Sequence, residues 1–319
     1  MRYASSFGLL ALLFLLFLGA GGTSPSAWAQ SSEVDRARLF RSQATVQSPE
    51  STSPTGEDRG FAAASPNDTD LGEQAILKRV EKYNPFTFET GVPFYYTSNV
   101  ALVDRGRVDD VIIAPVIGIT YAPKFRSTLY GEFTVRQQFF YYNDFSSFNF
   151  ASFDALAGLV YYVPQLNNLS LRANIDYNRL TGTDNFDAFF SNYALGLSAE
   201  VPIRIGRAQQ ISFGAEANIS LYADPSPPQR NDFGVYAGYS VSLSRSFSLN
   251  ASGRLVIRPY DSGGRTDVSE ILSLSANYRI REWFTLSAIS TFVANQSNQS
   301  VFDYEVFNLG GGITFSWKF

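Results

Sequence analysis

Cysteine and histidine are both absent from the 319 residues, methionine occurs once, and charged residues make up only 17%. Without cysteine there is no disulfide framework, no thiolate nucleophile and no lipid-anchored amino terminus. Without histidine there is no imidazole acid–base catalyst, and with both missing no zinc or haem site of the usual kind can be built. A metal would have to sit on carboxylates and carbonyls alone, and no spacing of these singles out a site, so neither metal nor other cofactor is expected. Basic charge is also scarce: 25 Lys and Arg stand against 29 Asp and Glu, a net charge of −4 that argues against nucleic acid as a partner. Long apolar runs are missing after residue 30, so no membrane helix follows the amino-terminal region.

That region reads as a secretory leader. Arg2 precedes an apolar run from Phe7 to Leu18, and Ala27-Trp28-Ala29 supplies small residues before Gln30, so residues 1–29 are expected to be removed. Residues 30–69 are rich in Ser, Pro, Thr, Gln and acids and are expected to form a disordered periplasmic tail, because such a composition buries too little to offset ordering entropy. In residues 70–85, Asp70 and Glu73 form a capping-box pattern. Leu71, Ile76, Val80 and Tyr83 then share a face until Asn84-Pro85, which predicts a short helix from Leu71 to Tyr83.

From Phe86 the hydrophobic period becomes 2 and stays there to Phe319. Twelve alternating segments follow, from Phe86–Thr97 and Asp110–Tyr121, through Leu169–Leu180 and Gln210–Tyr222, to Phe302–Phe319. Each reaches the roughly 9 to 11 residues that a tilted membrane strand requires, where soluble strands run about 5 or 6. In one segment Leu169, Leu171, Ala173, Ile175 and Tyr177 share a face, while Ser170, Arg172, Asn174, Asp176 and Asn178 share the other. A soluble sandwich would cover its polar face with Lys and Glu; here that face is Ser, Asn, Gly, Thr and isolated charges, which suits a wet enclosed lumen.

Short links at 122–126, 164–168, 204–209, 244–246 and 281–283 interleave with longer ones at 98–109, 142–149, 181–191, 223–231, 261–267 and 295–301. Phe86, Tyr121, Trp283 and Trp317 gather at the short-link ends, and Phe94, Tyr96, Phe139 and Tyr141 at the other, as two interfacial girdles would. These features predict an all-β fold: a transmembrane up-and-down antiparallel β-barrel of 12 strands over residues 86–319, with both chain ends on the periplasmic side. The last strand alternates through Phe315, Trp317 and a terminal Phe319, and so resembles the C-terminal strand of Gram-negative outer-membrane barrels. The resemblance implies an outer-membrane location, a setting of lipid and lipopolysaccharide, and a barrel-insertion machinery that reads Phe315, Trp317 and Phe319. In strand number the chain resembles nucleoside-specific channels, oligogalacturonate porins and autotransporter translocators, none of which contributes a motif.

Twelve strands about 4.8 Å apart and tilted about 40° enclose a backbone diameter of about 24 Å and leave about 12 to 14 Å between side chains. Candidate pore-lining charges are Glu132, Arg136, Arg172, Asp176, Glu216, Arg254 and Arg258, all on inward parity. Strand 3 lies opposite strand 9, so Glu132 is expected to face Arg254 and Arg258 across the lumen and set up a transverse field, which resembles the constriction of general porins. The competing expectation is a closed lumen in which these charges pair across neighbouring strands. Barrel enzymes such as outer-membrane phospholipase A, lipid A deacylases and omptin proteases all require His, so no enzyme is expected. The sequence thus points to a passive porin-like channel for small polar solutes, with a closed structural barrel and an autotransporter-like translocator as alternatives; oligomeric state is open.

Overall fold

The computed structural model describes residues 25–44, 83–205 and 208–319, with the side chains of 32–42 in the first segment. Twelve antiparallel strands form one closed barrel: β1 Phe86–Thr97; β2, in two pieces, Asp110–Ile113 and Val116–Tyr121; β3 Leu129–Tyr142; β4 Phe150–Val163; β5 Leu169–Gly182; β6 Ala188–Arg204; β7 Gln209–Asp224; β8 Asp232–Ser242; β9 Phe247–Pro259; β10 Thr266–Arg281; β11 Phe284–Ser297; and β12 Tyr304–Lys318. Sequential neighbours pair throughout, and β12 closes on β1 in a register running from Thr87 opposite Lys318 to Thr97 opposite Asn308. Phe86 and Phe319 exchange backbone hydrogen bonds of 3.0 Å, so the seam is closed to the last residue. β2 is interrupted at Ala114-Pro115, where proline offers no N–H to the ladder.

Large apolar residues cover the outside. Ile117, Leu159, Phe213, Leu255 and Leu272 are exposed, and Leu274 reaches 61%. An exterior of that kind has hydrocarbon as its solvent, with every backbone group paired within the wall. Trp283, Phe284, Phe315 and Trp317 stack at the lower rim, the two Trp rings 6.3 Å apart, and Phe86 stacks on Tyr121 and Phe319. Tyr177 and Tyr193, 4.6 Å apart, belong to the upper girdle. The chain is therefore an outer-membrane β-barrel. The two rims differ less in loop length than the sequence suggests: the upper connection 183–187 is no longer than the lower one 164–168. Upper strand ends continue past the last alternating residues, as where Asp224 still pairs with Ser191, so residues expected in loops extend the ladder above the membrane.

One helix, α1 Pro25–Ala44, departs from expectation. Residues 30–44 were to belong to a disordered tail, yet they form helical turns inside the barrel. Val34, Ala37, Leu39 and Phe40 are buried, the last three lying three, five and six positions after the first, and the barrel supplies the apolar partners that local composition lacks. The helix expected from Leu71 to Tyr83 lies, except for Tyr83 itself, outside the described residues. Tyr83 sits at the lower rim, its ring 6.4 Å from that of Tyr130.

Candidate functional site

The lumen has two storeys: wall charges pair with one another in the lower, and α1 occupies the upper. In the lower storey the side chains named from the sequence meet as neighbours rather than as opposing walls. Arg172 Nε lies 3.3 Å from Glu132 Oε2, Arg136 Nη2 is 4.0 Å from Glu89 Oε1, and Arg254 bonds Glu216. The expected transverse field between Glu132 and the Arg254/Arg258 wall is thus corrected. Glu89, Glu132 and Glu216 are each matched by a base two strands away, about 10 Å along the wall and within reach of Arg plus Glu, whereas the opposite wall is about 24 Å away.

A common geometry underlies these pairs. Glu89, Gly118 and Arg136 stand in register on β1, β2 and β3, so the ion pair passes over a glycine on the intervening strand. Glu132 is opposite Gly158 on β4, and Glu216 is opposite Gly234 on β8. Glu200 and Tyr236 flank Gly214, and the Tyr236 hydroxyl donates to Glu200 Oε2 at 2.6 Å. A Cβ at Gly234 would come within 2.9 Å of Glu216 Oε1, and one at Gly214 would collide with the Tyr236 ring. The glycines at 214 and 234 therefore leave the space in which the long side chains of Tyr236 and Glu216 lie along the wall.

The upper storey is occupied by α1. A helix with its side chains is about 10 to 12 Å across, close to the width that twelve strands leave. Val34, Ala37 and Phe40 pack against Tyr95, Val100, Ile112, Phe140, Tyr142, Phe150, Leu180 and Phe190. Phe40 stacks near Tyr95 (6.1 Å between centroids) and meets Tyr142 edge-on (5.9 Å). Leu39 turns the other way, toward Leu102, Val293, Tyr304 and Val306. The alternation predicts a polar inner face and does not announce these inward aromatics. The signal was parity: Phe140 and Tyr142 continue the face of Arg136 and Gln138.

Polar contacts fix the pitch of α1. At the rim, Asp35 accepts from Arg230 Nη1 at 2.8 Å, from Arg265 Nη1 at 2.9 Å and from the Tyr260 hydroxyl at 2.9 Å to each oxygen. Arg38 donates to the Pro228 carbonyl at 2.7 Å and lies over Phe190, and the Arg36 guanidinium sits 3.6 Å from the centre of the Phe148 ring. Burial alone would raise the Asp35 pKa, but Arg230, Arg265 and Arg38 outweigh it and hold the carboxyl below its ordinary value. For Arg38 burial dominates, helped by Arg230, and lowers it to about 10. Further down, Arg41 bonds Asp154, five residues into β4, and acts electrostatically on Asp176. The helix thus descends, with its amino end at the upper rim and its carboxyl end over the lower storey. Arg258 belongs to the rim: it bonds Ser269 and lies 3.9 Å from Asp232.

No protein-family model matches the chain, and no curated protein matches it. Among solved structures, an outer-membrane channel from Pseudomonas putida F1 superposes with a TM-score of 0.54 at 13% identity, over 74% of this chain and 97% of that one. The NanC porin gives 0.41 at 8% identity, over 71% and 98%. The translocator domain of autotransporter NalP from Neisseria meningitidis gives 0.43 at 10%, over 74% and 90%. The first of these shares its overall fold with this chain.

Proposed function

We propose that the protein is a porin-like channel for small polar solutes whose outer mouth is closed by its own helix α1, and that it carries out no catalysis. The observation that carries this reading is the contrast between storeys: below, the wall charges pair with one another along the wall; above, α1, a segment separate from the strands, is the described element that fills the bore. Asp35, buried among arginines, suits a latch better than a permanent bolt. A buried ion pair offsets much of its own attraction by desolvation, yet loses several kcal/mol, roughly 3 to 5, when one partner goes. The wall carries its own hydrogen bonds without α1, so unseating the helix leaves the barrel intact.

In this reading residues 1–29 are a cleaved leader, lipid and lipopolysaccharide surround the wall, and Phe315, Trp317 and Phe319 present the insertion signal. The test is single-channel conductance in a planar bilayer for the chain from residue 30, beside the same chain lacking residues 30–44. Low or intermittent current in the first and steady current in the second is expected. Silence in both, with folding confirmed by heat-modifiable migration, makes the barrel a closed structural one.

A further inference from the structure

The group that α1 places at the rim is a carboxylate, and its hydrogen-bond donors, Arg230, Arg265 and Tyr260, all belong to the barrel, with Arg38 of α1 standing 3.8 Å away. Arg265 is fixed by its Nε bonds to Asp267 (2.9 and 3.1 Å) and lies between the Tyr260 and Phe302 rings, 4.0 and 3.6 Å from their centres. Arg230 is fixed by Asp232 at 2.9 Å and by donating to the Tyr260 hydroxyl at 2.8 Å, and its backbone forms a bridge with Tyr260. Tyr260 in turn bonds the Arg265 carbonyl through its N–H at 2.9 Å. None of these restraints comes from α1, so the donors are already aimed before any carboxylate arrives.

Charge and shape point the same way. With α1 absent, Arg230, Arg258 and Arg265 face Asp232 and Asp267, which leaves one positive charge within this cluster. One arginine serves each oxygen of Asp35, and the tyrosine hydroxyl bridges both. That is a planar two-oxygen acceptor pattern, not the tetrahedral one of phosphate or sulfate.

We propose that Arg230, Arg265 and Tyr260 form the entry site for small organic carboxylates, and that Asp35 of α1 is a tethered competitor for it. This rests on the plugged-channel reading and adds the class of solute. The solute's carboxylate displaces that of Asp35, loosens the rim end of the helix, and so opens the mouth to the molecule that is to pass.

The experiment uses the chain from residue 30 in a planar bilayer, with glucuronate as the probe, glucose as its uncharged counterpart and sulfate as a tetrahedral anion. In the wild type, glucuronate on the outer side raises the open probability and the other two do not. In Asp35→Asn the mouth is already open and the same glucuronate now interrupts the current, an effect of opposite sign. Adding Arg265→Gln weakens those interruptions about tenfold or more, as expected for one lost charge-assisted hydrogen bond. Equal effects of glucuronate and glucose in an Asp35→Asn channel that opens, or interruptions untouched by Arg265→Gln, overturn the carboxylate site and leave the plug standing. If Asp35→Asn and the chain lacking residues 30–44 both conduct no more than wild type, the plug itself is wrong and the site falls with it.

Discussion

Phe40→Ala offers the sharpest test of how α1 is held. Phe40 is 0% exposed, lies against Tyr95 and Tyr142, and its carbonyl accepts from the Tyr95 hydroxyl at 3.4 Å. Truncating a fully buried Phe costs about 3 to 5 kcal/mol, the transfer of the ring plus the cavity it leaves. All of that cost falls on the seated state, because Phe40 makes these contacts only while α1 fills the upper storey. At about 1.4 kcal/mol per tenfold, the ratio of open to closed mouth rises by a factor of at least about 100. The assay is open probability from single-channel records of the chain from residue 30. Leu274→Ala serves as control, since it removes a comparable apolar group from the lipid face, away from α1. A ratio within threefold of wild type for Phe40→Ala, with heat-modifiable migration intact, would refute the idea that apolar packing seats the helix.

Acid supplies a second handle. Arg230, Arg265, Arg38 and the Tyr260 hydroxyl face Asp35 and hold its pKa below the ordinary 3.8, so its contribution to seating is complete above that pH and is lost as pH falls through the lowered value. Conductance should be flat from pH 7 to 5 and rise only below about 3.8, and the Asp35→Asn channel should lack that step; an opening near pH 6 contradicts the assignment. Because the chain has no native cysteine, single replacements report topology cleanly. Ser32→Cys should react with a bulky membrane-impermeant maleimide added to intact cells and Ser42→Cys should not; the reverse pattern inverts the helix. Arg172→Gln leaves Glu132 without its base, so a reversal potential in a KCl gradient should shift toward cations and return when Glu132→Gln is added. Deleting Phe319 removes the closing backbone bonds to Phe86 and the end of the C-terminal signal, and should lower the yield of folded barrel in cells more than on refolding in detergent.

What could be read directly from the sequence is what local chemistry decides. The segment expected at Leu169–Leu180 is the strand Leu169–Gly182, and that expected at Gln210–Tyr222 is Gln209–Asp224, because alternation is a property of adjacent residues and the two faces meet solvents of opposite polarity. Partnerships across the lumen are decided elsewhere. Asp35 meets Arg230 and Arg265 at sequence separations of 195 and 230, and no pattern within residues 30–44 announces such partners. Composition argued for disorder there because it weighs what a segment can bury within itself, while α1 buries against a wall formed by the rest of the chain.

The pairing of wall charges had a readable trace that alternation alone does not reveal. Glu132, Glu216 and Glu89 each stand beside an inward glycine on the next strand, and a long side chain beside a glycine has somewhere to lie. Treating the inner face as a list of charges facing each other across a bore discards that information; treating it as a surface with gaps recovers it. The same logic separates the storeys. Where glycines line the wall, polar side chains lie along it and pair with one another. At the level of Tyr95, Phe140, Tyr142, Phe150 and Phe190 the wall instead projects aromatic rings, which in an empty bore would stand in water at considerable cost. Rings at that height require an apolar occupant, and Val34, Ala37 and Phe40 of α1 are the described residues that meet the requirement. A mouth lined this way favours a covering helix, so opening follows when the helix's own contacts are weakened or replaced. At the polar rim, where Asp35 alone among the side chains of α1 carries negative charge into the arginines, a carboxylate is the replacement that the wall is built to accept.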